Sequence, residues 1–295
     1  MGIKEKSRHN NIITGNPESW GLGISSSLFS TLDEAVFLQC MEAGIENMEV
    51  CLLGDWVRNP DNEVSRVCAE IKDKADKAGM NVWSIHLPFG WDWDISEPDI
   101  GRRKAAIDGQ IRLLELAAIL EPKKAVIHGS FEPIGDNERD ARISACRDSL
   151  RIIGEKAASI GVELAIECLP RTCLGNSIQE MEKLIQGNDK IGVCCDTNHL
   201  FRESPGDFIR KTGSRVVTLH VSDFDGVDER HWMPGKGIVD WNDVIAALVE
   251  VGYEGPFTFE LSHKNTEETY TPKKIAECWE GLLGAYKASN SYFAR

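Results

Sequence analysis

The chain contains no Cys-x-x-Cys pair, no Lys/Arg-rich block, no apolar run approaching the length of a membrane span, and no G-x-G-x-x-G after its first strand-like run. Each absence removes something. Nine cysteines at irregular spacing, two of them adjacent (Cys194 and Cys195), read as small buried hydrophobes in a reducing compartment and not as a disulfide framework. Without a basic block, a formal charge of −14 disfavours attraction to nucleic acid or anionic lipid. Without a long apolar run, no membrane-spanning helix is expected. The opening "MGIKEKSRHNNIITGNPESW" is polar and lacks the hydrophobic centre of a signal peptide, so residues 1–20 are expected to be a lead-in to a soluble, cytoplasmic protein. The missing dinucleotide fingerprint counts against a doubly wound open sheet.

What is present is a strict alternation. Short apolar runs at 21–29, 45–53, 81–89, 124–130, 162–170, 191–199, 215–223 and 255–261 are each followed by a segment of helical period. Gly44, Gly79 and Gly161 close helices, and Asp240 is a plausible N-cap for the helix over 240–252. Eight strand–helix units imply a parallel sheet with right-handed crossovers, and a chain of 295 residues suits their closure into a (β/α)₈ barrel. No composition break divides the chain, so residues 21–295 are read as one barrel domain with a C-terminal helix.

The strand ends carry the chemistry. "SIHLPF" ends on His86, "VIHGS" on His128, "LAIECLP" on Glu167, "VCCDTNH" on Asp196 and His199, "TLHVSD" on His220 and Asp223, and "FTFEL" on Glu260, while Glu49 lies late in the second run. In a barrel these ends converge on one mouth. Carboxylates crowded there repel one another and drift towards protonation, a cost that a divalent cation removes. Glu167, Asp196, His220 and Glu260 offer three oxygen ligands and one nitrogen. That mixture suits Mn²⁺, Mg²⁺, Co²⁺ or Zn²⁺.

The order Glu, Asp-x-x-His, His-x-x-Asp, a P-G-x-G loop and Glu resembles the xylose isomerase-like TIM barrels over about residues 21–285, most specifically in "AIECLP", "CDTNH" and "HVSDFDGVDERHWMPGKGIVDW". That superfamily includes sugar phosphate isomerases, ketose 3-epimerases and the endonuclease IV type of abasic-site nuclease. The resemblance implies a metal tetrad of Glu167, Asp196, His220 and Glu260, with Glu167 and Glu260 also serving as the acid/base pair on opposite faces of a substrate carbon. It implies that His199 contacts a substrate oxygen. His86, His128 and His231 are expected as further substrate-side groups. Trp91 is suited to stacking on a sugar ring, and Arg171 and Lys236, with Arg230, to an anionic substituent. The reaction expected is isomerisation or epimerisation of a small sugar, sugar phosphate or polyol. A proton is abstracted next to a carbonyl, with the metal stabilising the enediolate.

One departure bears on the substrate: where ketose 3-epimerases often carry a second Glu after the β5 ligand, "ECLPRTCLGNS" has Arg171 and Cys173. The runner-up is an endonuclease IV-like zinc nuclease. His86, His128, Glu167, Asp196, His199, His220, His231 and Glu260 stand at matching places, with Glu229 where an Asp is expected. The acidic charge opposes that reading. A non-catalytic sugar-binding barrel is the third, weakened by the presence of all four tetrad residues. "PGKG" at 234–237 lacks P-loop spacing, and Cys173, Cys194 and Cys195 form no recognisable Cys–His–Asn arrangement. The loop around Trp91 is the place to look for a contact between copies of the chain.

Overall fold

A computed structural model describes residues 15–291; residues 1–14, most of the expected lead-in, and 292–295 lie outside the described residues. Strands and helices alternate in chain order: β1 Leu22–Ser25, α1 Glu34–Glu42, β2 Ile45–Cys51, α2 Asp61–Ala78, β3 Asn81–His86, α3 Ile100–Ala117, β4 Lys124–Ile127 and α4 Asp136–Ser159. The second half follows as β5 Glu163–Glu167, α5 Ile178–Ile185, β6 Gly192–Asp196, α6 Pro205–Thr212, β7 Val216–His220, α7 Trp241–Glu250, β8 Phe257–Phe259 and α8 Pro272–Ser291. The strands form one parallel sheet in the order β7-β6-β5-β4-β3-β2-β1-β8. Just beyond β7, Val221 N donates to Thr258 O (2.8 Å) and Glu260 N to Val221 O (3.1 Å), which joins β7 to β8 and closes the ring. This is a (β/α)₈ barrel in a single domain.

The local chemistry explains the element ends. β6 is buried at every position, as an uninterrupted apolar run in a parallel barrel should be. Gly79 ends α2 in the left-handed region (φ 77°), and Met80 N reaches back to Ala75 O at 2.9 Å. Asp240 caps α7, its Oδ1 accepting from Asp243 N at 3.1 Å. The first strand is shorter than its apolar run. Residues Ser26–Leu28 turn into a single 3₁₀ turn, and Ser26 Oγ accepts from Cys51 N at 2.8 Å, so a side-chain oxygen takes the place of the next ladder bond.

The main core lies between strands and helices, with Phe37, Phe208, Phe257 and Phe259 fully buried. Trp20 belongs to it: its ring stacks parallel to Phe257 and its Nε1 donates to Tyr253 O at 2.8 Å. Among the described residues, no helix is long and apolar enough to cross a membrane.

The loop after β3 is anchored from below. Arg142 on α4 lies 3.0 Å from Asp94 Oδ2, both side chains buried, and donates to Ser96 Oγ at 3.2 Å. Removing one partner strands the other charge inside the protein. Arg142→Ala is therefore expected to destabilise the fold by about 3–5 kcal/mol, read as a lower denaturant midpoint. An unchanged midpoint would show that Asp94 finds water or another donor.

Candidate active site

Register delivers the strand ends to one level. Asp196 pairs with His220 across β6 and β7, and Glu167 with Cys194 across β5 and β6. Because all strands run parallel, the terminal side chains of β3 to β8 point into the same mouth.

Glu167 is the hub, and its side chain is 1% exposed. Its Oε2 lies 3.1 Å from His86 Nε2 and 3.2 Å from His128 Nε2; its Oε1 lies 3.2 Å from His199 Nδ1 and 3.4 Å from His220 Nδ1. Four imidazoles thus surround one carboxylate. Burial opposes its ionisation, but His220 and His128 outweigh burial and hold its pKa well below the usual range. Asp196 is equally buried with fewer compensating partners: burial pushes its pKa up to about 6. Its Oδ1 accepts from Asn198 N at 2.7 Å, while Oδ2 is buried without a hydrogen-bond partner. Glu260, just past β8, brings Oε2 to 3.2 Å from His220 Nδ1.

His220 is fully buried, with Nε2 2.9 Å from Glu49 Oε1 and Nδ1 turned towards Glu167, Asp196 and Glu260. Glu49 is itself fully buried and accepts from Ser84 Oγ at 2.8 Å. A carboxylate behind one ring nitrogen sets the tautomer and presents the other nitrogen as a ligand. Neither nitrogen of His220 makes a well-aligned hydrogen bond, and neither does Asp196 Oδ2, so Glu49 meets Nε2 as a close ionic contact. One ligand atom each from Glu167, Asp196, His220 and Glu260 falls within 4.8 Å of the other three. Asp196 Oδ2 and His220 Nδ1 meet their neighbours only as close ionic approaches, 3.2 Å from His199 Nδ1 and from Glu260 Oε2 respectively, and three oxygens with a nitrogen are a donor set that a divalent cation satisfies. His86, Glu167 and His220 form a further group within the same limit, as do Asp196, His199 and His231. These groups share Glu167, Asp196 and His220 with the tetrad, so they describe one continuous centre.

Protons and a cation compete for the charge of this centre. Burial lowers the affinity of His86 for a proton, yet Glu167 raises its pKa to about 8. In His199 and His220 burial is likewise overcome by the facing acids, and both lie well above the usual value. His128 goes the other way, burial prevailing over Glu167.

A cavity of about 340 Å³ opens above the cluster. Glu167, Glu260, His86, His128, His199 and His231 line it, together with Arg171. His231 adopts a left-handed backbone (φ 52°), and Asn198 Oδ1 accepts from both Arg230 N and His231 N, which turns the imidazole inward. Arg171, also left-handed (φ 50°), bonds Glu132 at 2.6 Å, Asp228 at 2.7 Å and Glu229 at 3.1 Å. Glu229 in turn lies 3.1 Å from His199 Nε2.

Asp196 and His220 lie beneath the lining, and of the expected substrate-side residues Trp91, Lys236 and Arg230, the last paired with Asp225, fall outside it. Trp91 is 60% exposed and meets Phe131 edge-on with centroids 5.5 Å apart. Lys236 Nζ pairs with Glu268 at 2.8 Å on the surface. The reason for the course of Lys236 is Asp223, which accepts from Phe224 N, Gly235 N, Val239 N and Trp241 Nε1. It winds the "PGKG" loop around itself so closely that a Cβ on Gly237 would collide with the Phe224 carbonyl and the Asp223 carboxylate. Glu49 and Glu229 were visible in the sequence, the first as a charge late in the second run and the second where the nuclease reading expects an Asp, but neither was placed in the sugar-enzyme site.

A model of the family described as the xylose isomerase-like TIM barrel matches residues 37–279. The chain belongs to that family. Members similar to it include an uncharacterized protein of Methanocaldococcus jannaschii, 24% identical over 265 residues, 86% of this chain and 87% of that protein. D-psicose 3-epimerase of Ruminiclostridium cellulolyticum is 30% identical over 209 residues, 65% of this chain and 67% of that one. Among solved structures, a D-tagatose 3-epimerase-like protein shares the fold, superimposing with a TM-score of 0.74 at 21% identity and covering 93% of this chain and 100% of that chain. The family thus relates the chain to sugar 3-epimerases, and its buried Glu/Asp/His cluster is consistent with a divalent metal site.

Proposed function

We propose that this barrel is a divalent-metal-dependent isomerase or epimerase of a small sugar or related polyol. The observation that carries the reading is the meeting of Glu167 and Glu260, from β5 and the end of β8, around His220 and Asp196 at the floor of one cavity. Glu167, Asp196, His220 and Glu260 would hold the cation. When bound, it supplies Lewis-acid polarisation of a carbonyl and its neighbouring hydroxyl.

The chain's own groups do the rest. A carbon placed between Glu167 and Glu260 meets one carboxylate on each face. One takes the proton α to the carbonyl. Delivery by the other to the opposite face inverts the centre, whereas return by the first to the adjacent carbon isomerises the sugar. His199 and His231, at the cavity wall, are placed to hold substrate oxygens, and the Glu49 contact keeps the His220 ring oriented. The 3-epimerase relatives support this choice of reaction.

Elemental analysis of chain purified without chelator or an affinity metal tests the reading. About one Mn, Co, Zn or Mg per chain is expected. About three zinc ions would favour abasic-site cleavage instead, and no uptake on titration would favour a sugar-binding barrel. Loading should also fall as the pH drops, because two ligands then take protons in place of the cation: His220, whose pKa lies well above the usual imidazole value, and at lower pH Asp196, raised to about 6 by burial. Loading that stays flat down to about pH 5 would remove Asp196 from the ligand set.

A further inference from the structure

The three cations that the sequence offered for an anionic substituent are each paired with acids, and two of them, Arg230 and Lys236, lie outside the cavity lining. Arg171 holds Glu132, Asp228 and Glu229; Arg230 Nε pairs with Asp225 Oδ2 at 2.7 Å; Lys236 pairs with Glu268. Among the described residues, Arg171 is the one Lys or Arg side chain in the cavity lining, and it shares that lining with four carboxylates, Glu132, Glu167, Glu229 and Glu260. A phosphate entering here would have to displace acids from Arg171 while facing the remainder. Like charge at close quarters discriminates against such a ligand.

The rest of the lining is of another kind. Phe89, Phe131, Leu169 and Pro170 border the same cavity. The Phe89 ring lies flat on His128, centroids 4.3 Å apart and planes within 14°, yet the residue is still 41% exposed. Phe131 carries Trp91 against its edge and so extends the aromatic surface outward. The volume, about 340 Å³, lies at the lower end of small-molecule pockets and leaves the apolar wall within reach of a bound sugar. An apolar wall with exposed aromatic faces, continuous with a polar catalytic floor, calls for a ligand with an apolar end.

We propose that the substrate is an uncharged sugar bearing an apolar substituent, the substituent packing on Phe89, Phe131, Leu169 and Pro170 while the sugar hydroxyls face the carboxylate–histidine floor. This rests on the sugar reading given above. The four lining carboxylates and the acids around Arg171 disfavour the phosphate; the aromatic wall supplies the preference for the substituent.

The test is a calorimetric titration of the full chain loaded with Mn²⁺ against four probes: D-fructose, D-fructose 6-phosphate, and the 1-O-benzyl and 6-O-benzyl ethers of fructose. At least one benzyl ether is expected to bind about tenfold or more tighter than fructose, and the phosphate about tenfold or more weaker. Phe131→Ala, at a half-buried loop position, should collapse the benzyl-to-free ratio to about threefold or less. Phosphate binding as tight as fructose overturns the inference and leaves the sugar reading standing. So do benzyl ethers no better than fructose, or a ratio untouched in Phe131→Ala. Failure of all four probes to bind overturns the sugar reading and this inference with it.

Discussion

Glu260→Gln is expected to lower turnover by about 10²–10⁴-fold and leave the fold intact. The substitution keeps the size of the side chain and removes its charge, and with it both the ability to take a proton and part of the hold on the cation, so turnover is compared at saturating metal. Its environment tolerates that change: Glu260 is partly open to the cavity, and its closest ionic neighbour is His220 Nδ1 at 3.2 Å. The measurement is made on whichever sugar the wild-type chain converts, following both product and the exchange of the carbon-bound proton with deuterated solvent by NMR. Both should fall together, while the unfolding midpoint moves by no more than about 1 kcal/mol equivalent. Exchange that persists while product is lost would make Glu167 the group that removes the proton and Glu260 the one that delivers it; exchange and product both persisting at the wild-type rate would take the proton-transfer role away from Glu260.

Glu49→Ala carries the second large effect, at a residue that does not line the cavity. The His220 ring has one nitrogen turned to the metal-binding cluster and the other 2.9 Å from Glu49, and neither residue is exposed to water. Without the carboxylate the imidazole loses both its orientation and the partner that favours the needed tautomer. Metal affinity is expected to drop about 10–100-fold, as removal of such supporting acids does elsewhere. Competition with a chelator measures it. Glu49→Gln, which keeps an acceptor oxygen beside Nε2, should recover part of the loss. Wild-type affinity in Glu49→Ala would mean that the packing around His220 alone holds the ring.

These two residues also mark the boundary of what a linear reading can reach. Glu260 was legible because it ends an apolar run, and in a parallel barrel every run ends on the same face. The same logic found Glu167, Asp196 and His220, and the structure brings all four together. Glu49 was visible only as a charge late in the second run. Its position gives no hint of a partner, since β2 and β7 are not neighbours in the sheet and meet only across the closed interior. Loop residues were the least legible. Nothing periodic sets the course of a loop, so the inward turn of His231, left-handed and held by Asn198, and the outward course of Lys236 follow from hydrogen bonds between distant segments. Trp91 shares this uncertainty: its loop is anchored through Asp94 to Arg142 on α4, a contact that spans 48 positions of sequence.

By itself the sequence determined the eight strand–helix units, their closure into a barrel and the acids and imidazoles at the mouth. Those follow from local periodicity and from one geometric rule about parallel strands. The tertiary structure alone decided how the charges are partnered. It set Glu49 behind His220, left Asp196 Oδ2 and His220 Nδ1 without hydrogen bonds, and tied Arg171 to three acids. Partnering depends on distances of a few ångströms between segments far apart in the chain, and such distances exist only once the barrel has closed.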